Sequence, residues 1–351
     1  MNKIKIAIIG LNFGKNIVDQ LMTDESTTDF ELVKVCDLDS SNLKQVEEQY
    51  NISGTTDFNE ILNDPEIDAV GLFTGPSGRA DFLKKIISSG KDVMTTKPFE
   101  VDCEAALEVL EKAQEMGRII HLNSPAPCLP HDLNLIKKWQ IKHTLGRAIS
   151  CNMSVWCSYR EVADGSWYDD PSKCPVPPIF RLGIYLINDL VQIFGEADSV
   201  SVTSSKIFTK RPTADNANLT ILFKNGAIAN IFASFCINDG DAYKNSMSLN
   251  FENGTVYRNV GIKQSQGMEN AELGLIMGDF DKGRTIVEEE FIPVCSGQYQ
   301  WKNFAKAIRK EKLTDEITPK DIVSGLKIIA AMSIADQGNG SAKISNSVCM
   351  P

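Results

Sequence analysis

Apolar residues follow two different rhythms along this chain, and the change between them falls near residue 123. In the first part, short apolar runs alternate with stretches whose apolar positions recur at helical spacing. The pattern predicts strands at Lys3–Ile9, Phe30–Cys36, Ala69–Phe73, Asp92–Thr95 and Arg118–Leu122. Between them it predicts helices at Leu11–Met22, Ser41–Tyr50, Arg79–Ser89 and Asp102–Met116, with Asp102 as an N-cap and Gly117 as a stop. Strands alternating with helices make a parallel sheet with helices on both faces.

Beyond residue 123 the pattern changes. Helices are predicted at Leu133–Lys142 and Gly183–Phe194, and a strand at Ala148–Tyr159. The stretch Asp164–Pro178, rich in Pro, Asp and Trp, reads as an ordered loop. Strands follow at Ser199–Phe208, Leu219–Phe223, Ala227–Phe235, Met247–Glu252 and Thr255–Val260. Asn225-Gly226 and Asn253-Gly254 are hairpin signals between them. Helices near Tyr299–Lys310 and Pro319–Gln337 close the chain. The expected class is α/β: a doubly wound parallel sheet over residues 1–122, then an α+β domain over 123–351 with a large, mostly antiparallel open sheet, its closing helices free to pack back on the first domain.

Composition narrows the partners. At 351 residues, two domains are favoured. The 36 basic against 46 acidic residues, with no basic cluster, speak against a nucleic acid or an anionic membrane as partner. The apolar run before Gly10 is too short for a signal-peptide core or a membrane span, so a cytoplasmic protein is expected. Nine scattered cysteines without a Cys-x-x-Cys pair, and only three histidines, predict reduced thiols and no metal centre.

Candidate chemistry begins at Gly10-Leu11-Asn12-Phe13-Gly14, where the first strand turns into the first helix. A tight turn there lets the backbone approach a pyrophosphate held at the helix N-terminus. Asn12 stands at the usual second glycine and Lys15 at the third, with Gly14 one position early. Asn tolerates positive φ, which keeps the turn possible. A glycine-bearing turn without a ligand would look much the same. Asp37 follows the second strand, where an acid can accept hydrogen bonds from adenosine ribose hydroxyls. Leu38, Asp39, Ser40 and Ser41 supply no Arg for a 2′-phosphate, so NAD is preferred over NADP. A solvated loop acid is the plainer alternative for Asp37.

Thr74-Gly75-Pro76, and the run Gly90-Lys91-Asp92-Val93-Met94-Thr95-Thr96-Lys97-Pro98, resemble the glucose–fructose oxidoreductase/inositol dehydrogenase (Gfo/Idh/MocA) family, with Thr96 replacing the Glu of its Glu-Lys-Pro motif. The stretch Arg181-Leu182-Gly183-Ile184-Tyr185-Leu186-Ile187-Asn188 occupies the place of the family's Gly-x-His-x-x-Asp. Tyr185 and Asn188 there resemble the branch in which a tyrosine is the acid/base, partnered by the lysine of Lys-Pro. The resemblance implies a Rossmann domain binding NAD through Gly10, Asn12, Phe13, Gly14, Asp37, Thr74, Gly75, Pro76, Lys97, Pro98 and Asn123, with Lys97 and Tyr185 catalytic. It also implies homo-oligomers, dimer or tetramer, formed through the outer face of the second sheet.

Oxidising a secondary alcohol needs a base for the hydroxyl proton and a fixed nicotinamide for the hydride. A free tyrosine titrates near pH 10. A lysine ammonium about 4 Å away favours tyrosinate by roughly 4 kcal/mol at an effective dielectric near 20, or about 3 pKa units. Pro98 would fix the backbone after the lysine. Without the resemblance, Tyr185 reads as a core aromatic and Lys97 as a surface charge.

The resemblance puts the substrate against the Asp164–Pro178 loop. Trp167 offers an apolar face, Asp169 and Asp170 accept hydroxyl hydrogen bonds, Arg160 and Arg181 could hold an acidic or hydroxylated group, and Asn188 joins them. A purely structural loop is the alternative. Cys174-Pro175-Val176-Pro177-Pro178 and Arg181 depart from the common family pattern, leaving sugars, glycosides, cyclitols and sugar acids open. His121 has either a cofactor or a core role. Two rivals stand beside a dehydrogenase: an enzyme with tightly held NAD that oxidises a glycoside transiently to eliminate its glycosidic bond, and a non-catalytic NAD-binding sensor.

Overall fold

The computed structural model describes residues 2–240, 243–261, 270–279, 281, 283–292 and 297–344. Cys295 and Cys349 lie outside them; the other seven cysteines are unbridged. The chain divides into two compact units, one of residues 1–128 and 299–319, the other of 129–298 and 320–351.

The first unit opens with β1 (Ile4–Ile9), α1 (Leu11–Thr23), β2 (Phe30–Cys36), α2 (Ser40–Tyr50), β3 (Ser53–Thr55), α3 (Phe58–Asn63) and β4 (Ala69–Leu72). It continues with α4 (Arg79–Ser88), β5 (Asp92–Thr95), α5 (Cys103–Glu115) and β6 (Ile120–Leu122). Six parallel strands lie in the order β3-β2-β1-β4-β5-β6. That order reverses direction at β1, so the carboxyl ends of β1 and β4 flank the crevice where doubly wound sheets bind ligands. The central strands β4 and β5 are buried at every position, as a sheet covered on both faces requires. Asp102 caps α5 as the pattern predicts, its carboxylate accepting from the amides of Glu104 and Ala105.

The second unit begins with α6 (His131–Lys142) and β7 (Ala148–Trp156). A π-helical turn over Pro178–Gly183 runs into α7 (Ile184–Phe194), which extends the predicted helix at its amino end by an irregular turn. The strands are β8 (Ala197–Ser205), β9 (Asn216–Phe223), β10 (Ile228–Ser234), β11 (Lys244–Phe251), β12 (Gly254–Arg258), β13 (Ala271–Asp279) and β14 (Gly283–Ile292). Helix α8 (Trp301–Ile308) then belongs to the first unit. From Lys320 onward α9 (Pro319–Gln337) and β15 (Ser341–Lys343) complete the second. Nine strands make one sheet, β14-β13-β12-β11-β7-β10-β9-β8-β15, antiparallel at every pairing but β7 with β10.

The second unit is fastened around Arg258 of β12, which is almost wholly buried. Its guanidinium donates to Asp132 of α6 at 2.5 Å, Asp189 of α7 at 3.1 Å and Asn245 of β11 at 2.9 Å. Those bonds tie two helices to the sheet through one cation. Gly325 of α9 lets that helix lie close on α7, because a Cβ there would collide with the Asn188 Oδ1. Among the described residues, no helix is long and apolar enough to cross a membrane.

Candidate active site

In the first unit the predicted residues gather at the carboxyl end of the parallel sheet, just past neighbouring strands. Gly10 follows β1, Thr74-Gly75-Pro76 follows β4, Lys97-Pro98 follows β5 and Asn123 follows β6. Gly10 takes φ +86°, and a Cβ there would lie 3.0 Å from both the carbonyl carbon and the oxygen of Phe73. No side chain fits this turn. The helix starts at the very next residue, so Asn12 is helical and its tolerance of positive φ is not used, contrary to the sequence-based expectation. Gly14 faces the sheet instead: a Cβ there would stand 3.2 Å from Ile8 and 3.5 Å from Phe73. It serves the close packing of helix on strand that the third glycine gives in such turns. Phe13 is half-exposed beside it.

Asp37 closes the turn from the β2 side. One carboxylate oxygen accepts from the amide of Leu11, the first of α1, at 2.5 Å, and the other from Asp39 at 2.8 Å. The anion thus sits on the positive end of a helix. Leu38, next in sequence, is 91% exposed, an apolar side chain standing in solvent at the edge of this turn. A glycine turn with no room for a Cβ, a helix N-terminus opening on it and an acid beyond the second strand fit a dinucleotide. Among the described residues no group of three or more His, Cys, Asp and Glu side chains is placed to hold a metal ion.

The lysine loop is held from two sides. The Asn123 side-chain oxygen accepts from the Lys97 amide at 3.0 Å and the Thr96 hydroxyl at 3.3 Å, so the end of β6 fixes the start of the loop. Arg79, in the first turn of α4, donates to carbonyl oxygens of Thr74, Thr96, Pro98 and Phe99. It is fully buried, and burial pulls its pKa down to about 10 against the opposing charge of Glu100. Glu100 accepts from the amides of Gly78, Ala80 and Val101, at the start of α4 and just after itself. Neither residue is marked by periodicity; an Arg opening a helix and an acid after Lys-Pro are signals only in hindsight. His121 is a core residue: burial lowers its pKa to about 3, its Nδ1 has no partner, and its ring lies 5.5 Å from that of Phe304.

In the second unit Tyr185 and Asn188 lie on buried positions of α7. The π-helical turn just before Tyr185 leaves regular spacing, a feature frequent at functional sites. The Asp164–Pro178 loop carries a one-turn 3₁₀ helix at Trp167–Asp169 and a network of charges. Arg181 donates to both oxygens of Glu161 at 2.7 Å, and the rings of Tyr159, Tyr168 and Phe235 surround its guanidinium within 5.2 Å. Arg211, unmarked by any sequence pattern, joins Glu161 at 2.8 Å, Asp169 at 2.8 Å and Asp164 at 3.0 Å. Arg211, with the Ser166 hydroxyl and amide, holds the Asp164 carboxyl well below its ordinary range. Asp169 also accepts from the amides of Asp164 and Gly165, and so pins the loop. Asp170 accepts from Ser172 and pairs with Lys173, while Arg160 lies over the ring of Phe208. Trp167 packs on Tyr168 and Phe180. Of the residues assigned to substrate, Asp169 and Arg181 are thus engaged in holding the loop itself.

Family models match both halves: "Oxidoreductase family, NAD-binding Rossmann fold" over residues 4–124 and the GFO/IDH/MocA C-terminal domain over 134–257. The uncharacterised oxidoreductase YhhX of Escherichia coli K12 is 26% identical over 43% of this chain and 42% of its own length. The scyllo-inositol 2-dehydrogenase (NAD(+)) of Bacillus subtilis 168 is 31% identical over 34% of each. The chain therefore aligns with less than half the length of these curated relatives. Among solved structures, GenD2 from gentamicin A biosynthesis, in complex with NAD, matches with TM-score 0.76 at 17% identity, covering 98% of this chain and 97% of its own. Levoglucosan dehydrogenase, in complex with NADH and L-sorbose, matches with TM-score 0.74 at 14% identity over 98% and 100%. At these identities the likeness is one of fold. With both of its domain models matched in order along the sequence, the chain belongs to the Gfo/Idh/MocA family of oxidoreductases.

Proposed function

We propose that this protein is an NAD(H)-dependent oxidoreductase moving a hydride between nicotinamide and a secondary hydroxyl or ketone of a sugar or sugar-like molecule. The observation that carries the reading is the gathering of the Gly10 turn, the Thr74 loop and the Lys97 loop at one end of one parallel sheet. NAD, when bound, supplies the hydride acceptor. Gly10 and the amides heading α1 would hold its pyrophosphate, and Asp37 its ribose. The Asp37 carboxylate would repel a 2′-phosphate, and residues 38–41 bring no arginine, which supports NAD over NADP.

Tyr185 takes the proton of the substrate hydroxyl as the carbinol hydrogen leaves as hydride, and returns it in the reverse direction. Lys97 favours the tyrosinate. The proton and the hydride together account for the two hydrogens lost when alcohol becomes ketone. Engagement of Arg181 with Glu161 favours neutral polyols over sugar acids. The levoglucosan dehydrogenase structure, which holds NADH and L-sorbose, and the GenD2 structure, which holds NAD, lend support as proteins of the same fold. We also propose a homo-oligomer joined through the sheet face where β7 and β11 present Ser150, Asn152, Ser154, Ser246, Ser248 and Asn250, which are small and uncharged.

The test is NADH formation at 340 nm with NAD and a panel of aldoses, glycosides, cyclitols and sugar acids. Tyr185→Phe and Lys97→Ala should each lower turnover by about 100-fold or more with folding intact. Turnover unaffected by either change would remove the assigned roles. No NADH from any substrate, with NAD co-purifying, would shift the reading to transient oxidation of a glycoside. Absence of nucleotide binding would shift it to a sensor.

A further inference from the structure

We propose that Arg79 is the positioning residue of the lysine loop: its buried guanidinium ties the loop after β4 to the loop after β5 and so sets where Lys97 acts. The proposal rests on reading Lys97 as a group at the cofactor. Three of the four carbonyl oxygens that Arg79 reaches belong to Thr96, Pro98 and Phe99, on both sides of Lys97, and the fourth to Thr74. The bonds to Thr96 and Phe99 measure 2.6 and 3.0 Å.

The choice of residue is informative. A cation buried this deeply is costly, and an apolar side chain of similar volume would hold a core at less expense in solvation. The charge of Glu100 offsets part of that cost, but its oxygens accept from backbone amides around the start of α4 and the guanidinium's own bonds go to carbonyls. What the guanidinium supplies is two nitrogens in fixed directions, Nη1 facing the Thr96, Pro98 and Phe99 carbonyls and Nη2 that of Thr74, so one planar group reaches both loops at once. A lysine could reach only some of them. The clamp therefore has a geometric purpose, and the one charged side chain between its anchor points is Lys97. With Asn123 holding the Lys97 amide at 3.0 Å, the loop is fixed by two side chains from different elements.

The experiment follows modification of Lys97 by trinitrobenzenesulfonate with peptide mass spectrometry, with and without saturating NADH, in the full-length protein. Saturation is set for each variant by NADH fluorescence. In the unaltered protein NADH should slow modification of Lys97 by about tenfold or more. In Arg79→Met that protection should fall to less than about threefold. Modification of Lys44 and Lys112, and the far-ultraviolet circular dichroism, should stay as they were. Arg79→Lys should fall between the two, and it decides the matter if Arg79→Met does not fold. Undiminished protection in either folded variant overturns the clamp. Absence of protection in the unaltered protein overturns instead the reading of Lys97 as a cofactor-site residue.

Discussion

His121 shows what a single buried group does to the molecule as pH changes. Its burial lowers its pKa to about 3, whereas in an unfolded chain it titrates near 6.5. Between those values the unfolded chain binds a proton that the folded one excludes, so stability rises with pH across the window and is lost as pH falls below about 6.5. The slope reaches about 1.4 kcal/mol per pH unit at most. Replacing His121 by Phe removes the titration and keeps an aromatic ring near Phe304. The melting temperature of His121→Phe should therefore fall less between pH 6 and pH 4 than that of the unaltered protein; parallel curves would show that His121 is not the group responsible. The residue also marks a limit of sequence reading. A histidine at the end of a parallel strand suits a cofactor or a core equally, and only the packing of α8 against it decides. Gly10 was legible because a tight strand-to-helix turn has few chemical solutions. Arg79, Glu100 and Arg211 were not, because their partners are distant backbone groups and acids that no local pattern ties to them.

At the scale of elements, strands and helices with a strong period were readable nearly to the residue, as at β2, β5 and α9. Those missed were short or faced solvent, except β13, whose Ala271, Leu273 and Leu275 alternate inward. Strand β3 and helix α3 are too brief to show a period, and β14 carries Glu288, Glu289 and Glu290 in a run that no alternation of apolar and polar residues reveals. Helix α8 was predicted, with freedom to pack back on the first domain, but the residues that carry that packing were not legible. Trp301 lies within the cluster of Ile4, Ile6, Phe30, Val35 and Phe73, its ring 5.4 Å from Phe30, and its indole N–H reaches the Gln20 side chain at 3.0 Å. Trp301→Ala should cost about 3–5 kcal/mol, from lost burial and the cavity left behind. Urea unfolding measures it, and a loss below about 1 kcal/mol would mean that the site collapses without penalty or that α8 contributes little.

For the molecule as a whole, the testable statement concerns association. Serine, asparagine and threonine dominate the outward rows of β7, β8, β9 and β11, which carry no Glu or Arg; Lys244 of β11 is buried there, and β10, between β7 and β9, turns Ile228, Asn230 and Phe232 outward. A monomer gains nothing in solubility from such a face, whereas an uncharged layer that also carries Leu222, Ile228 and Phe232 can mate with a copy of itself about a two-fold axis. Light scattering should give at least a dimer, and Ser154→Arg with Ser248→Arg should yield monomers that remain folded. Dimers that survive both charges would place the contact elsewhere. The resemblance supplied this expectation; the residues facing outward supply its chemical basis, which periodicity alone could only outline.

The return of residues 299–319 to the first unit has a consequence for how the protein is born. A ribosome releases the strands of the parallel sheet early, but the tryptophan and phenylalanine that seal the core behind β1 and β2 come only after the whole of residues 129–298. At ~5–20 residues per second that is a wait of roughly ten to thirty seconds. Throughout it the nascent sheet shows an open apolar flank around Phe30 and Val35, a surface that invites chaperones or wrong neighbours. Completion of the first unit is thereby made to depend on synthesis of the second, so a chain cut short anywhere before α8 cannot close its nucleotide-binding half.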